Sequence, residues 1–167
     1  MTALKTFLLR LGKRGVRIVI DSKSFTLSDL CECRPWLIKP NGEEIKEYLG
    51  RHISTTAQAA DAARDLHRQG IGNVMITLGG EGAVLGGCDG VFAANAPRII
   101  ARSTVGAGDS AIGGFLAATA RGLRGAEALA CSVAFGSAAC MTEGTQAPRR
   151  EAIDALLPEI FCRRILP

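Results

Sequence analysis

Apolar residues recur along this chain at two spacings. Leu4, Phe7, Leu8 and Leu11 fall three and four residues apart, so Ala3–Lys13 is predicted as an amphipathic helix. Val16-Arg17-Ile18-Val19-Ile20 is a β-branched run of the kind found in a buried parallel strand. Asp21 follows at its C-terminal end, where open α/β sheets place ligand-facing groups. A short helix or irregular link reaches Leu30, and Trp36-Leu37-Ile38 reads as a second brief strand. Asn41 then opens a helix to about Leu49, with Glu44 three residues on to complete a capping box. Ser54 or Thr55 caps the next helix, Ala57–Arg68, which Gly70 stops.

The second half alternates in the same way. Asn73–Leu78 is a strand running into Gly79-Gly80-Glu81-Gly82. Ala83–Leu85 and Gly90–Ala93 flank Gly87-Cys88-Asp89-Gly90, a hairpin signal. After Ile99–Ala101 comes a loop, then a helix to about Arg121 that Gly122 stops, and a further helix over Ala126–Met141. Residues 142–145 are a break, Pro148 starts a last short helix, and Leu156 lies near its end. No repeat, low-complexity segment or linker interrupts the chain. The alternation predicts an α/β fold, a largely parallel sheet with helices on both faces.

Composition changes this picture little. The chain has 167 residues, 47% hydrophobic and 22% charged, which is one domain's worth of material. The net charge of +4 is not gathered into basic clusters with interleaved aromatics, so no nucleic-acid partner is expected. The six cysteines include no C-x-x-C pair, and His52 and His67 have no partners at metal-ligand spacing. Free thiols in a reducing cytoplasm are therefore expected. The first helix is too short and too charged for a signal or membrane segment.

The candidate chemistry centres on Ser103-Thr104-Val105-Gly106-Ala107-Gly108-Asp109-Ser110. Two glycines one residue apart lead into a run of helix formers. The N–H groups of such a turn point with the first turn of the helix, and both they and the helix dipole favour an anion. Asp109 places a carboxylate beside that anion position, which suits proton abstraction from an attacking hydroxyl. Asp109 is equally read as a plain dipole partner at a helix start, with the glycines as packing devices. Residues 106–111 also fit the dinucleotide fingerprint G-x-G-x-x-A. That fingerprint needs a strand ending in Asp or Glu about 20 residues later, and Ala126–Ala139 reads as helix instead.

The octet at 103–110, together with Lys39-Pro40-Asn41-Gly42-Glu43-Glu44, Thr77-Leu78-Gly79 with Gly82, and Gly136-Ser137-Ala138-Ala139 followed by Gly144-Thr145, resembles the PfkB (ribokinase-like) sugar kinases. The similarity runs from about Leu8 to Ile160. Its motifs look most like the branch acting on phosphosugars: fructose 1-phosphate first, with tagatose 6-phosphate and fructose 6-phosphate as alternatives. The resemblance implies a ribokinase-like fold and ATP-dependent transfer to a phosphorylated ketohexose. Asp109 would be the base, and the N–H groups of Gly106, Ala107 and Gly108 would stabilise the transferred group. Lys39, Asn41, Thr77, Gly79, Gly82 and Ser137 would contact the nucleotide. Asn41 and Glu44 would hold hydrated Mg2+, with Asp21 a weaker candidate for the metal region. Carbonyls of Ser103, Val105, Ala139 and Gly144 would face a monovalent cation such as K+.

The resemblance also implies that residues 1–167 form one partial domain, the C-terminal nucleotide-binding lobe of such a kinase. The family's first strands, its β lid and the acidic residue gripping the sugar have no counterpart here. An unpaired strand edge, a partly bare apolar face, and homodimerisation or association with a missing N-terminal half are expected in consequence. A non-catalytic nucleotide-binding module is the alternative for the chain as it stands.

Overall fold

The computed structural model describes residues 2–166. Its elements are α1 (Thr2–Gly12), β1 (Val19–Ile20), α2 (Leu27–Cys33), β2 (Leu37–Ile38), α3 (Glu44–Leu49), α4 (Thr56–Arg68), β3 (Asn73–Thr77), β4 (Ala83–Gly87), β5 (Gly90–Ala94), α5 (Ala107–Ala120), α6 (Gly125–Cys140), α7 (Arg150–Leu156) and β6 (Cys162–Leu166). Short 3-10 turns occupy Gly79–Glu81 and Leu157–Glu159. The strands form one sheet in sequence order, β1 to β6.

The sheet is mixed, which corrects the expectation of a largely parallel one. β1, β2 and β3 run parallel, whereas β3 through β6 pair antiparallel. The apolar runs misled because they report burial on two faces rather than strand direction. Val84, Val91 and Ala93 face one hydrophobic cluster with α4, while Ala83, Leu85 and Ala94 face another with α5, α6 and α7. The hairpin at Cys88-Asp89 is as expected, with Gly87 opposite Gly90. Two further differences concern the edges. Strand β1 covers only Val19–Ile20 of the expected Val16–Ile20, and Val16 is exposed. Strand β6 is absent from the sequence-based expectation; its exposed Arg163 and Arg164 break the apolar pattern of an edge strand whose Cys162, Ile165 and Leu166 are only half-buried.

Helices α1 to α4 cover one face and α5 to α7 the other. Helices thus pack on both faces of the sheet, and β1 has a neighbour on one side only, as expected. Exposed Leu4, Phe7 and Val16 lie towards that end of the chain.

The closest packing is between α5 and α6. A methyl group on Gly114 would stand 2.8 Å from the Cys131 carbonyl oxygen and 2.8 Å from Phe135 Cβ. One on Gly136 would stand 3.2 Å from the Ala107 oxygen and 3.3 Å from Ala111 Cβ. The buried Ser132 hydroxyl donates to the Ala111 carbonyl at 2.8 Å, tying the second turn of α5 to α6. The start of α5 is thereby held at a fixed distance from the middle of α6.

Candidate active site

The parallel strands bring the predicted residues together by register. Ile20 lies opposite Ile38, so Asp21 and Lys39, each one residue further on, emerge side by side. Lys39 Nζ stands 3.3 Å from Asp21 Oδ2. Asn41 in turn makes a parallel bridge with Thr77, whose N–H donates to the Pro40 carbonyl at 3.1 Å. Asp21, Lys39, Asn41 and Thr77 thus line the C-terminal ends of β1, β2 and β3, where α/β sheets hold ligands. The start of α5 faces the same edge.

That start is an open turn. Gly106 has φ +80° and ψ −2°, the left-handed region, and a Cβ built there meets nothing within 4 Å. Glycine is therefore required by backbone conformation. Gly108 lets Lys39 come close: a methyl group there would stand 2.9 Å from Lys39 Nζ and 3.1 Å from its Cε and would displace the ammonium end. The Ala107 N–H donates to Thr104 at 3.3 Å and Ser110 N–H to Gly106 at 2.9 Å. The N–H groups of Gly106, Gly108 and Asp109 have no acceptor among the described residues. Asp109 is exposed at the first turn of α5.

The corner at Asn41–Glu44 is closed on itself. Asn41 Oδ1 accepts from the N–H groups of Glu43 at 3.0 Å and Glu44 at 2.8 Å, and Glu44 Oε2 accepts from Asn41 N–H at 3.1 Å. The expected capping box is present, although helix α3 as bounded starts only at Glu44. The Asn41 oxygen is already occupied, and Glu44 Oε1, 3.7 Å from Lys23 Nζ, remains. This donor set fits a divalent ion held through water, since Mg2+ keeps several waters and is bound by one or two carboxylates. Among the described residues no three His, Cys, Asp or Glu gather as a metal cage.

A cleft of about 770 Å³ joins these parts. Asn41, Thr77, Gly79, Gly82, Ala107, Gly108 and Ser137 all line it. Lys39 lies buried behind Gly108, and Glu44 and Asp109 lie outside the lining. Gly82 has φ +105°, and any Cβ there would collide with the Ala94 carbonyl, so its glycine is fixed by β5 whatever it does for a ligand. Sequence reasoning missed the wall formed by Pro97, Arg98, Ile99 and Ala101 between β5 and α5. That stretch has no periodicity, and Pro97 was its one signal. A separate hollow of about 410 Å³, near Thr56, Glu81 and Arg163, includes none of the predicted residues.

The segments expected to face a monovalent cation are adjacent. The Cys140 carbonyl accepts from Arg102 N–H at 2.8 Å and Ser103 N–H at 3.2 Å, and Arg102 pairs with Glu143 at 3.3 Å. The Ala139 carbonyl already accepts from Thr142, from Oγ1 at 2.8 Å and from N–H at 3.1 Å. The carbonyls of Ser103, Val105 and Gly144 accept no hydrogen bond among the described residues.

The segment 126–139 lies in α6, so the strand that a dinucleotide site needs is absent there. The cysteines are free thiols, and burial pushes the Cys162 thiol up to about 11. No helix among the described residues is long and apolar enough to cross a membrane.

A turn of free N–H groups at the C-terminal edge of an α/β sheet suits an anion, and an exposed carboxylate beside it suits proton transfer. The chain belongs to the pfkB family of carbohydrate kinases, whose family model matches residues 2–152. It is 34% identical over 155 residues to the 1-phosphofructokinase of Bacillus subtilis, covering 92% of this chain and 50% of that protein. The phosphofructokinase-2 of Escherichia coli, solved with substrates and products, superposes with a TM-score of 0.87 at 26% identity, over 95% of this chain and 52% of that one. Ribokinase of Thermotoga maritima shares the fold, with a TM-score of 0.73 at 24% identity over 90% of this chain and 52% of that one. The chain spans about half the length of the curated relatives it matches.

Proposed function

We propose that this chain is the nucleotide-binding portion of a kinase that transfers the γ-phosphoryl group of ATP to fructose 1-phosphate, giving fructose 1,6-bisphosphate. The observation that carries the reading is the open start of α5: free N–H groups at Gly106, Gly108 and Asp109, with Lys39 Nζ packed against Gly108. The transition state of phosphoryl transfer is loose, so the protein contributes mainly positioning and charge stabilisation. The free N–H groups and the α5 dipole hold the transferred phosphoryl oxygens. Asp109, at the rim of the turn, accepts the proton of the sugar hydroxyl; with a loose transition state that transfer comes late and a weak base suffices. Lys39 and Thr77 contact the nucleotide phosphates, and Ser137 on α6 borders the base. Glu44 Oε1 would hold magnesium through water, and the ion would neutralise charge on the phosphates. The carbonyls of Ser103, Val105 and Gly144 are free to face a potassium ion. Sugar contacts are assigned to the half of the relatives' length that this chain does not match.

Calorimetric titration of the chain with MgATP, beside NAD, tests the cradle: MgATP binds and NAD does not. Turnover is read with the chain fused to the unmatched half of the Bacillus subtilis relative, offering fructose 1-phosphate, tagatose 6-phosphate and fructose 6-phosphate in turn. Asp109→Asn lowers turnover on the order of 10³-fold, the scale of a lost general base, while MgATP affinity holds. Equal loss of both removes Asp109 from the base role.

A further inference from the structure

Lys39 is one of only two polar side chains that are buried among the described residues, at 6% exposure. An ammonium so placed has three donors to satisfy and a large desolvation cost unless it is paired. Its partner is Asp21 Oδ2 at 3.3 Å, and no further hydrogen bond reaches it from the described residues. Its position is also electrostatically adverse. It sits against the first turn of α5, the positive end of the helix, beside N–H groups that have no acceptor.

Asp21 is anchored independently of Lys39. The Ser22 carbonyl accepts from the Tyr48 hydroxyl at 3.2 Å, and Lys23 faces Glu44 at 3.7 Å, so the segment after β1 is tied to α3. Asp21 itself keeps 29% of its side chain in solvent, whereas Lys39 keeps 7%. Of the two, the carboxylate can do without its partner, because water solvates it. The buried ammonium cannot.

We propose that Asp21 is a positioning residue, a resident counter-ion that holds Lys39 in place and yields it when a phosphoryl group arrives at the start of α5. This rests on the phosphate-binding reading of that turn and adds an exchange to it. Without a ligand, Lys39 pairs with Asp21. With one, the ammonium turns to a phosphoryl oxygen held by the N–H groups of Gly106, Gly108 and Asp109, and Asp21 is left to water. Asp21 therefore competes with the ligand for Lys39, and the competition lowers apparent affinity by the fraction of chains in which Lys39 is free.

The test uses thermal unfolding of the full 167-residue chain against inorganic phosphate. The unmodified chain is stabilised by phosphate. Asp21→Asn starts from a lower midpoint without phosphate and reaches half-saturation at about tenfold less phosphate, the factor expected if Lys39 is free in about a tenth of chains. Lys39→Met no longer responds to phosphate. A purely structural Asp21 would lower the midpoint without tightening phosphate, so unchanged or weaker half-saturation in Asp21→Asn overturns the proposal. So does a Lys39→Met chain that still responds with undiminished affinity, because the anion would then sit elsewhere. Asp21→Ser covers the case in which Asn does not fold: if both variants stay unfolded at saturating phosphate, phosphate cannot take the carboxylate's place and the proposal fails. The underlying reading is scored separately by MgATP. A chain that binds MgATP while Asp21→Asn leaves phosphate unchanged loses only the exchange; one that binds neither loses both.

Discussion

Helices α2, α3 and α4 begin in the same closed way, and α5 begins in another. At the first three, a side chain accepts from the helix and a second side chain reaches back: Thr26 with Asp29, Asn41 with Glu44, Thr55 with Gln58. At α5 the residue before the helix is Gly106, with no side chain to offer. Helices α6 and α7 also lack side-chain caps, but neither start lines the cleft. Every helix leaves its first N–H groups without intrahelical acceptors. Closing them with a side chain favours stability; leaving them open beside a cleft keeps them for a ligand. The contrast supports the proposed cradle at α5, and it leaves the Asn41–Glu44 corner a single carboxylate oxygen for metal chemistry.

The contrast can be broken most sharply at Gly106. Because nothing lies within 4 Å of a Cβ there, Gly106→Ala tests backbone conformation alone. We expect a stability loss of about 1–2 kcal/mol from holding alanine in the left-handed region, and a loss of MgATP affinity on the order of tenfold as the turn relaxes. Calorimetry on the variant reads both. Unchanged affinity would show that the open turn is not the cradle. The closed corner should behave the opposite way. Asn41→Ala removes a cap and costs about 1 kcal/mol, a midpoint shift of roughly 2–4 °C for a chain of this size. Glu44→Gln should shift the midpoint by less, since glutamine still completes a capping box. It removes the charge, however, so the dependence of ATP binding on Mg2+ should weaken. If Glu44→Gln loses as much stability as Asn41→Ala, with no change in Mg2+ dependence, Glu44 is a cap and nothing more.

The smallest effect belongs to α2. The Thr26 hydroxyl hydrogen bond, followed by those from Lys5 and the Thr26 N–H, holds the Asp29 carboxyl at about 2, below the ordinary 3.8. A depressed carboxyl contributes stability above its unfolded value and loses it as pH falls through the folded one. The difference between the natural chain and Asp29→Asn should therefore be constant at neutral pH, shrink once pH falls to 3.8 and disappear only below about 2. Midpoints measured down an acid series check this. A difference that persists at the bottom of the series would mean that the carboxylate charge is not what closes this helix start.

Much of this was legible in the sequence because it is local. The capping partners lie three residues apart, and the glycines after α4 and α5 mark their ends at Gly70 and Gly122, both with positive φ. The glycine-rich turn and its aspartate are contiguous. What was not legible depends on register or on edges. The pairing of Asp21 with Lys39 spans strands, and follows only once Ile20 is known to lie opposite Ile38. In the antiparallel half the β4–β5 hairpin was legible from its turn, but the direction of β3 against β4 was not, because strands covered on both faces look alike whichever way they run. Strand β6 was hidden for the opposite reason, since an edge strand with exposed arginines has no pattern to read. The wall at 97–101 has neither helix nor strand, so its place in the cleft is set by β5 and α5 on either side.

The helix contact at Gly114 and Gly136 bears on the cleft as a gauge bears on a gap. One side of the opening, Ala107 and Gly108, rides on α5; the other, Val133, Gly136 and Ser137, rides on α6. The two sides are spaced by bare glycine faces, with no loop between them to flex. A methyl group added at Gly114 would press on α6 and move Ala107 and Gly108 away from the opposite wall. The aperture is thus set by the helix contact itself, at Gly114 away from the cleft and at Gly136 on its lining.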